Sequence, residues 1–186
     1  MKIVILHGTG GNPEDNWFPW LKDILEDRGH EVCIPEFPTP ENQSLKNWSN
    51  TLKDQVHFTL DKDTILIGHD LGANFILHIL DIDMNEPVRK AILVSGFCNK
   101  LGHKVFDELS STFIEKEFNW DRIKSNATEF IIYQGEGDPY VPIFEAEELE
   151  ENLDAELNII PDGQHLNEEA GVIIFEELLE RIEGDL

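Results

Sequence analysis

Cysteine and positive charge are both scarce in this 186-residue chain. Its two cysteines, Cys33 and Cys98, lie far apart, which excludes a disulfide framework and a zinc cluster built on cysteine pairs. Lys and Arg number 14 against 38 Asp and Glu, a formal net charge of −24, so nucleic acid and anionic membrane are poor partners. No apolar run approaches the roughly 20 residues of a membrane span. The chain opens directly on a strand-like run at residues 2–6, without the basic and apolar regions of a signal peptide. A reducing cytoplasm is the location this composition favours. His, Cys and carboxylates nowhere cluster at metal-ligand spacing, so no metal and no organic cofactor is expected, and water is the expected co-substrate.

What is present is an alternation. Short apolar, β-branched runs at residues 2–6, 31–34, 64–67, 90–95, 129–133 and 156–160 are separated by stretches with apolar residues at three- and four-residue spacing, at 16–27, 44–57, 71–80, 142–151 and 168–182. Strand alternating with helix predicts a mostly parallel sheet of about six strands covered by helices on both faces, a three-layer α/β fold. The length suits one domain over residues 1–186, with little room for a cap domain. Pro142 suits a first helical position. The long connection between Ser95 and Glu129 should hold one or two short helices, including 121–125, and could overhang a site. The acidic excess is dense at 145–156 and 168–185. It reads as solvated helix faces, because Leu149, Leu153, Ile174, Leu178 and Ile182 recur among the charges at helical spacing.

The strongest local signal is Gly68-His69-Asp70-Leu71-Gly72, where the run ending at Ile67 gives way to a helical pattern. This is the strand-turn-helix setting of a nucleophile elbow, whose glycines let strand and helix approach while the central side chain projects above the sheet. The usual centre is serine; here it is Asp70, and a tight turn with a helix-capping Asp is the competing reading. Gly135-Glu136-Gly137-Asp138 follows the fifth run and Gly163-Gln164-His165 the sixth, so nucleophile, acid and histidine arrive in the chain order of this fold. His165 would act as base and Asp138 would fix its tautomer. His7-Gly8-Thr9-Gly10-Gly11 follows the first run, and the Thr9 and Leu71 N–H groups would form an oxyanion hole. The loop lacks the Lys-Ser/Thr ending of a phosphate loop. His7, Trp17 and His69 are candidates to line the substrate site, with core packing the rival reading for Trp17. His30, His57, His78 and His103 read as surface or helix residues, and Ser95 lacks an elbow's glycines.

Further residues extend the pattern over nearly the whole chain: Asn16-Trp17-Phe18-Pro19-Trp20-Leu21, Trp48 with Thr51-Leu52, Ile92-Leu93-Val94-Ser95-Gly96-Phe97, and Val141-Pro142 after Asp138. With the His7-Gly8 loop, the Gly68 turn and Gly163 with His165, they resemble the small serine hydrolases related to retinoblastoma-binding protein nine, the YdeN-like group. The resemblance implies a lidless α/β-hydrolase with a Ser, Asp and His triad, acting on a small ester or amide. Asp138 and His165 match that triad; Asp70 departs from it. A carboxylate attacking an ester carbonyl would form an anhydride, and its adduct would sooner expel the carboxylate than an alkoxide. An Asp nucleophile suits displacement at saturated carbon, as in the related haloalkane dehalogenases and epoxide hydrolases, whose elbow often reads Gly-His-Asp. Those enzymes carry a cap domain and usually a Trp where this chain has Leu71. The expectation is a hydrolase of a small ester-type substrate at Asp70, Asp138 and His165. The alternatives are Asp-nucleophile chemistry of the dehalogenase or epoxide-hydrolase kind, an inactive or altered copy that acts as a binding or regulatory domain, and an interaction module working through the acidic surface.

Overall fold

The computed structural model describes residues 1–184. Six strands, β1 (Lys2–Leu6), β2 (Glu31–Cys33), β3 (Thr64–His69), β4 (Val88–Val94), β5 (Ala127–Gly135) and β6 (Glu156–Ile160), form one sheet in the order β2-β1-β3-β4-β5-β6. Every pairing is parallel. Parallel strands need crossovers, and helices supply them: α1 (Phe18–Asp27), α2 (Leu45–Gln55), α3 (Leu71–Leu80), α7 (Ile143–Leu153) and α8 (Glu176–Glu183). Three short helices, α4 (Lys104–Leu109), α5 (Ser111–Ile114) and α6 (Trp120–Ser125), fill the connection from β4 to β5.

The period of two along β1 divides the core. Val4 and Leu6 join one buried cluster with Trp48, Leu71, Phe75, Leu77 and Leu149, while Ile3 and Ile5 join the other with Trp17, Leu21, Leu178 and Ile182. The inner strands β1, β3, β4 and β5 are thus largely buried on both faces, which is why their runs read as nearly continuous apolar sequence, whereas the edge strands β2 and β6 are partly exposed. Among the described residues no helix is long and apolar enough to cross a membrane.

Several boundaries move from where periodicity alone puts them. The helical pattern from 168 to 182 is broken: a 3₁₀ turn spans Glu168–Ala170, capped by the Asn167 side chain, and Gly171 follows with φ 82°. Ile174 consequently lies outside α8 and is exposed, whereas Leu178 and Ile182 are buried. The helix expected from residue 16 starts at Phe18, because Asn16 takes φ 55°. Ser44 is the cap of α2, accepting from the Asn47 amide at 3.2 Å, and Pro142 stands one position before α7 rather than within it.

The chain leaves β1 toward β2 on one side and returns to β3 on the other. Beyond the carboxyl ends of β1 and β3, the connecting loops therefore diverge and open a crevice, where open α/β sheets bind their ligands.

Candidate active site

Asp70 sits in that crevice, between β3 and α3, with φ 54° and ψ −123°. This backbone is costly for a residue with a Cβ and persists only where the surroundings impose it. They do so here through two glycines. A Cβ on Gly72 would stand 2.1 Å from the Leu6 carbonyl oxygen, and one on Gly68 would stand 2.4 Å from the Gly72 oxygen, so β1, β3 and α3 meet backbone to backbone. The Asp70 amide donates to the Val94 carbonyl at 3.0 Å. Its side chain makes no cap bond to α3, which removes the capping reading.

The carboxylate points across to the loop after β1. Its Oδ2 accepts the Thr9 N–H at 2.9 Å, and Gly8 allows the approach, since a Cβ there would lie 2.3 Å from Oδ2. Its Oδ1 lies 4.0 Å from His165 Nε2, beyond hydrogen-bond length but well within reach of the charge. Leu71 opens α3, so its N–H belongs to the set that a helix start leaves without an intrahelical acceptor.

His165 stands after β6, buried, with Nδ1 donating to Asp138 Oδ2 at 2.9 Å and lying 3.1 Å from Oδ1. Asp138, after β5, also accepts the Tyr140 and Val141 amides at 2.9 and 3.0 Å. Burial pulls the His165 ring toward the neutral form, but the Asp138 hydrogen bond and the Asp70 and Asp138 charges prevail and hold its pKa above 6.5. Burial pushes the Asp138 carboxyl upward, and the His165 hydrogen bond and charge, with both amides, outweigh it and leave that carboxyl below its usual value.

The three candidates from three separate loops are thus brought together with Thr9. Of the expected lining residues, only His69 faces the cleft. It donates from Nε2 to the His165 carbonyl at 2.9 Å, and burial with the neighbouring His165 charge lowers its pKa to about 4. His7 is fully buried and does not line the cleft. Its Nε2 accepts the Phe37 amide at 2.9 Å, which puts the proton on Nδ1 for the Gly8 carbonyl at 2.9 Å. It shapes the Thr9 loop from behind. Trp17 is likewise core, packed edge-on to Phe18, His69 and Phe175, with Nε1 donating to the Leu166 carbonyl at 3.1 Å. His78, read as a surface or helix residue, is helical but buried, donating from Nε2 to the Phe113 carbonyl at 2.7 Å, and burial lowers its pKa to about 4.

Sequence reading missed Gln134, which is fully buried at the end of β5 and donates from Nε2 to Asp138 Oδ2 at 3.2 Å and to the Val141 carbonyl at 3.1 Å. A lone amide ending the apolar run Phe130-Ile131-Ile132-Tyr133 was the available signal. It also missed the outer wall. The cleft, of about 560 Å³, is lined by Leu101 and Phe106 from the β4–β5 connection, by Tyr140, and by Asp15, Glu168 and Glu169. The Tyr140 ring stands 4.9 Å from the His165 ring and 6.2 Å from Phe106.

A six-stranded parallel sheet in this order, with helices on both faces and a strained, glycine-flanked turn between β3 and α3, is the architecture of an α/β hydrolase. Residues 3–183 match the family described as serine hydrolase. The chain is 31% identical to YdeN of Bacillus subtilis over 172 residues, covering 91% of this chain and 88% of that protein. It is 29% identical over 167 residues to the serine hydrolase RBBP9 of Rattus norvegicus, covering 88% and 86%. The crystal structure of the B. subtilis ydeN gene product superposes with a TM-score of 0.90 at 28% identity, covering 98% of this chain and 97% of that one. The chain belongs to the serine hydrolase family.

Proposed function

We propose that this protein hydrolyses small substrates of the ester type through a covalent ester on Asp70, formed by displacement at a saturated carbon that carries a leaving group. The observation carrying this reading is the division of the Asp70 carboxylate: Oδ2 rests on the Thr9 N–H and Oδ1 faces His165. One oxygen is free to attack while the other already occupies a site for negative charge.

In the first step Asp70 Oδ1 bonds to the substrate carbon, and the bond to the leaving group breaks with its electron pair. An oxygen leaving group takes the Nε2 proton of His165, whose pKa the Asp138 hydrogen bond and the neighbouring carboxylates raise; a halide departs unprotonated, and the imidazolium then gives that proton to solvent. The imidazole is then neutral. Esterification also removes the Asp70 charge that helped to hold it protonated. In the second step His165 takes a proton from water, hydroxide adds to Asp70 Cγ, and the oxyanion forms on Oδ2 against the Thr9 and Leu71 N–H groups. Collapse releases the alcohol and restores the carboxylate and imidazolium. Asp138 holds Nδ1 throughout.

The test is to trap the ester. A His165→Gln variant incubated with small alkyl halides and alkyl sulfonates, whose leaving groups need no proton, should accumulate the alkyl mass on the peptide containing Asp70. No adduct from the whole panel, and no ¹⁸O from labelled water in the Asp70 carboxylate of the native protein, would end this reading.

A second reading is favoured by the intact Asp138–His165 pair in a family of serine enzymes: Asp70 fills the anion site and blocks acyl chemistry. Then Asp70→Ser should hydrolyse p-nitrophenyl acetate, lose that activity with His165→Ala, and the native chain should yield neither turnover nor adduct.

A further inference from the structure

The outer wall of the cleft is irregular backbone. Residues 97–102, between β4 and α4, carry Leu101 and lead to Phe106, both of which line the cleft. Such a segment has no ladder to satisfy its amides and carbonyls, so side chains must. The Phe97 carbonyl accepts from Asn74 Nδ2 at 3.1 Å. The Leu101 and Gly102 amides donate to Asp107 at 2.8 and 3.1 Å. The middle of the segment depends on Glu145, in the first turn of α7, which is fully buried. Its Oε2 accepts the Cys98 amide at 2.9 Å, the Asn99 amide at 3.2 Å and Asn99 Nδ2 at 3.3 Å. Asn99 Nδ2 also reaches Glu148 Oε2 at 2.9 Å.

A buried carboxylate is expensive, and burial indeed pushes the Glu145 carboxyl above its usual range. An apolar residue at this helix position would pack without that cost. What the carboxylate does that an apolar side chain cannot is hold two consecutive amides. The same first turn follows Val141, whose amide is bonded to Asp138, so the start of α7 references the outer wall to the Asp138–His165 pair.

We propose that Glu145 is a positioning residue that determines specificity: by pinning Cys98 and Asn99 it sets how far Leu101 and Phe106 stand from His165, and so the bulk of the group the cleft accepts. The proposal rests on the cleft being the substrate site, and not on which nucleophile is active. Its test therefore uses no turnover. In the native protein, Glu145→Gln and Glu145→Ala, amide hydrogen exchange is read at Cys98 and Asn99, and the binding of ethanol and of benzyl alcohol is titrated through the His165 ring signals.

Losing one amide bond is worth roughly a factor of ten in an opening equilibrium. Glu145→Ala should speed exchange at both amides by about that factor or more and change the ratio of benzyl alcohol to ethanol affinity by about tenfold. Glu145→Gln keeps an acceptor oxygen and should restore both readouts. Unchanged exchange in Glu145→Ala, an unchanged affinity ratio, or a glutamine variant that behaves as the alanine one would each overturn the proposal. Loss of the ester on Asp70 in the trapping experiment would leave these outcomes unaffected.

Discussion

The Thr9 amide, in the loop after β1, donates to Asp70 Oδ2 at 2.9 Å across 61 residues of sequence. The carboxylate is thereby held against the loop after β1, with its second oxygen 4.0 Å from His165 Nε2.

That closeness sets the first prediction. Asp70→Asn keeps an acceptor for Thr9 and removes the charge, so the imidazolium loses one of the anions that stabilise it. The His165 pKa should fall relative to the native protein, read from its ring signals in an NMR titration. An unchanged value would mean that Asp138 and Glu169 raise it without Asp70.

Stability should depend on pH with opposite signs on the two sides. His69 and His78 have folded pKa values of about 4 against 6.5 for a free histidine. The unfolded chain therefore binds their protons first, and stability should fall as pH drops from 6.5 toward 4, by up to about 1.4 kcal/mol per pH unit for each histidine. The raised His165 value acts the other way: its contribution is present below 6.5 and is lost as pH rises through the folded value. Urea unfolding of His78→Leu should show a shallower acid limb, with a constant loss at every pH from the unpaired Phe113 carbonyl. An acid limb of native steepness would contradict this.

Gly72→Ala should be severe. Its methyl carbon would lie 2.1 Å from the Leu6 oxygen, and backbone on both sides leaves nothing flexible to yield. Overpacking of this kind costs about 1–3 kcal/mol or more, so the urea midpoint should drop accordingly. A midpoint within about 0.5 kcal/mol of native, the usual range of an innocuous surface change, would show that β1 and α3 can part.

Charge should select among substrates. Asp15, Asp70, Glu168 and Glu169 line the cleft, and no Lys or Arg does among the described residues. An ester or alkyl donor bearing a carboxylate should react at least about tenfold more slowly, in kcat/KM, than its neutral isostere, and the gap should narrow as salt screens the walls. Equal rates at low salt would argue that the cleft's potential is already neutralised.

Much of the fold was legible because its causes are local. Alternating β-branched runs and helical spacing marked all six strands and the major helices, and the glycines around Asp70 marked the turn, since a close backbone approach tolerates nothing larger. The order of Asp70, Asp138 and His165 along the chain was visible for the same reason: each follows a recognisable strand. The break at Gly171 was not, because apolar spacing continues across it and Ile174 looks like a core residue until the 3₁₀ turn carries it out of register.

Which side chains face the cleft was decided by tertiary structure. His7 and Trp17 flank the right loops in sequence, yet both turn inward, His7 to an amide 30 residues away and Trp17 to a carbonyl 149 residues away. Gln134 and Glu145 acquire their roles from partners that only the assembled sheet brings near, Asp138 for one and the amides of Cys98 and Asn99 for the other. Residue type and spacing determine what an element is and what chemistry a loop can offer. A hydrogen bond of about 3 Å between groups distant in the chain depends on how whole elements pack, and that packing is a sum over the core which no local pattern contains.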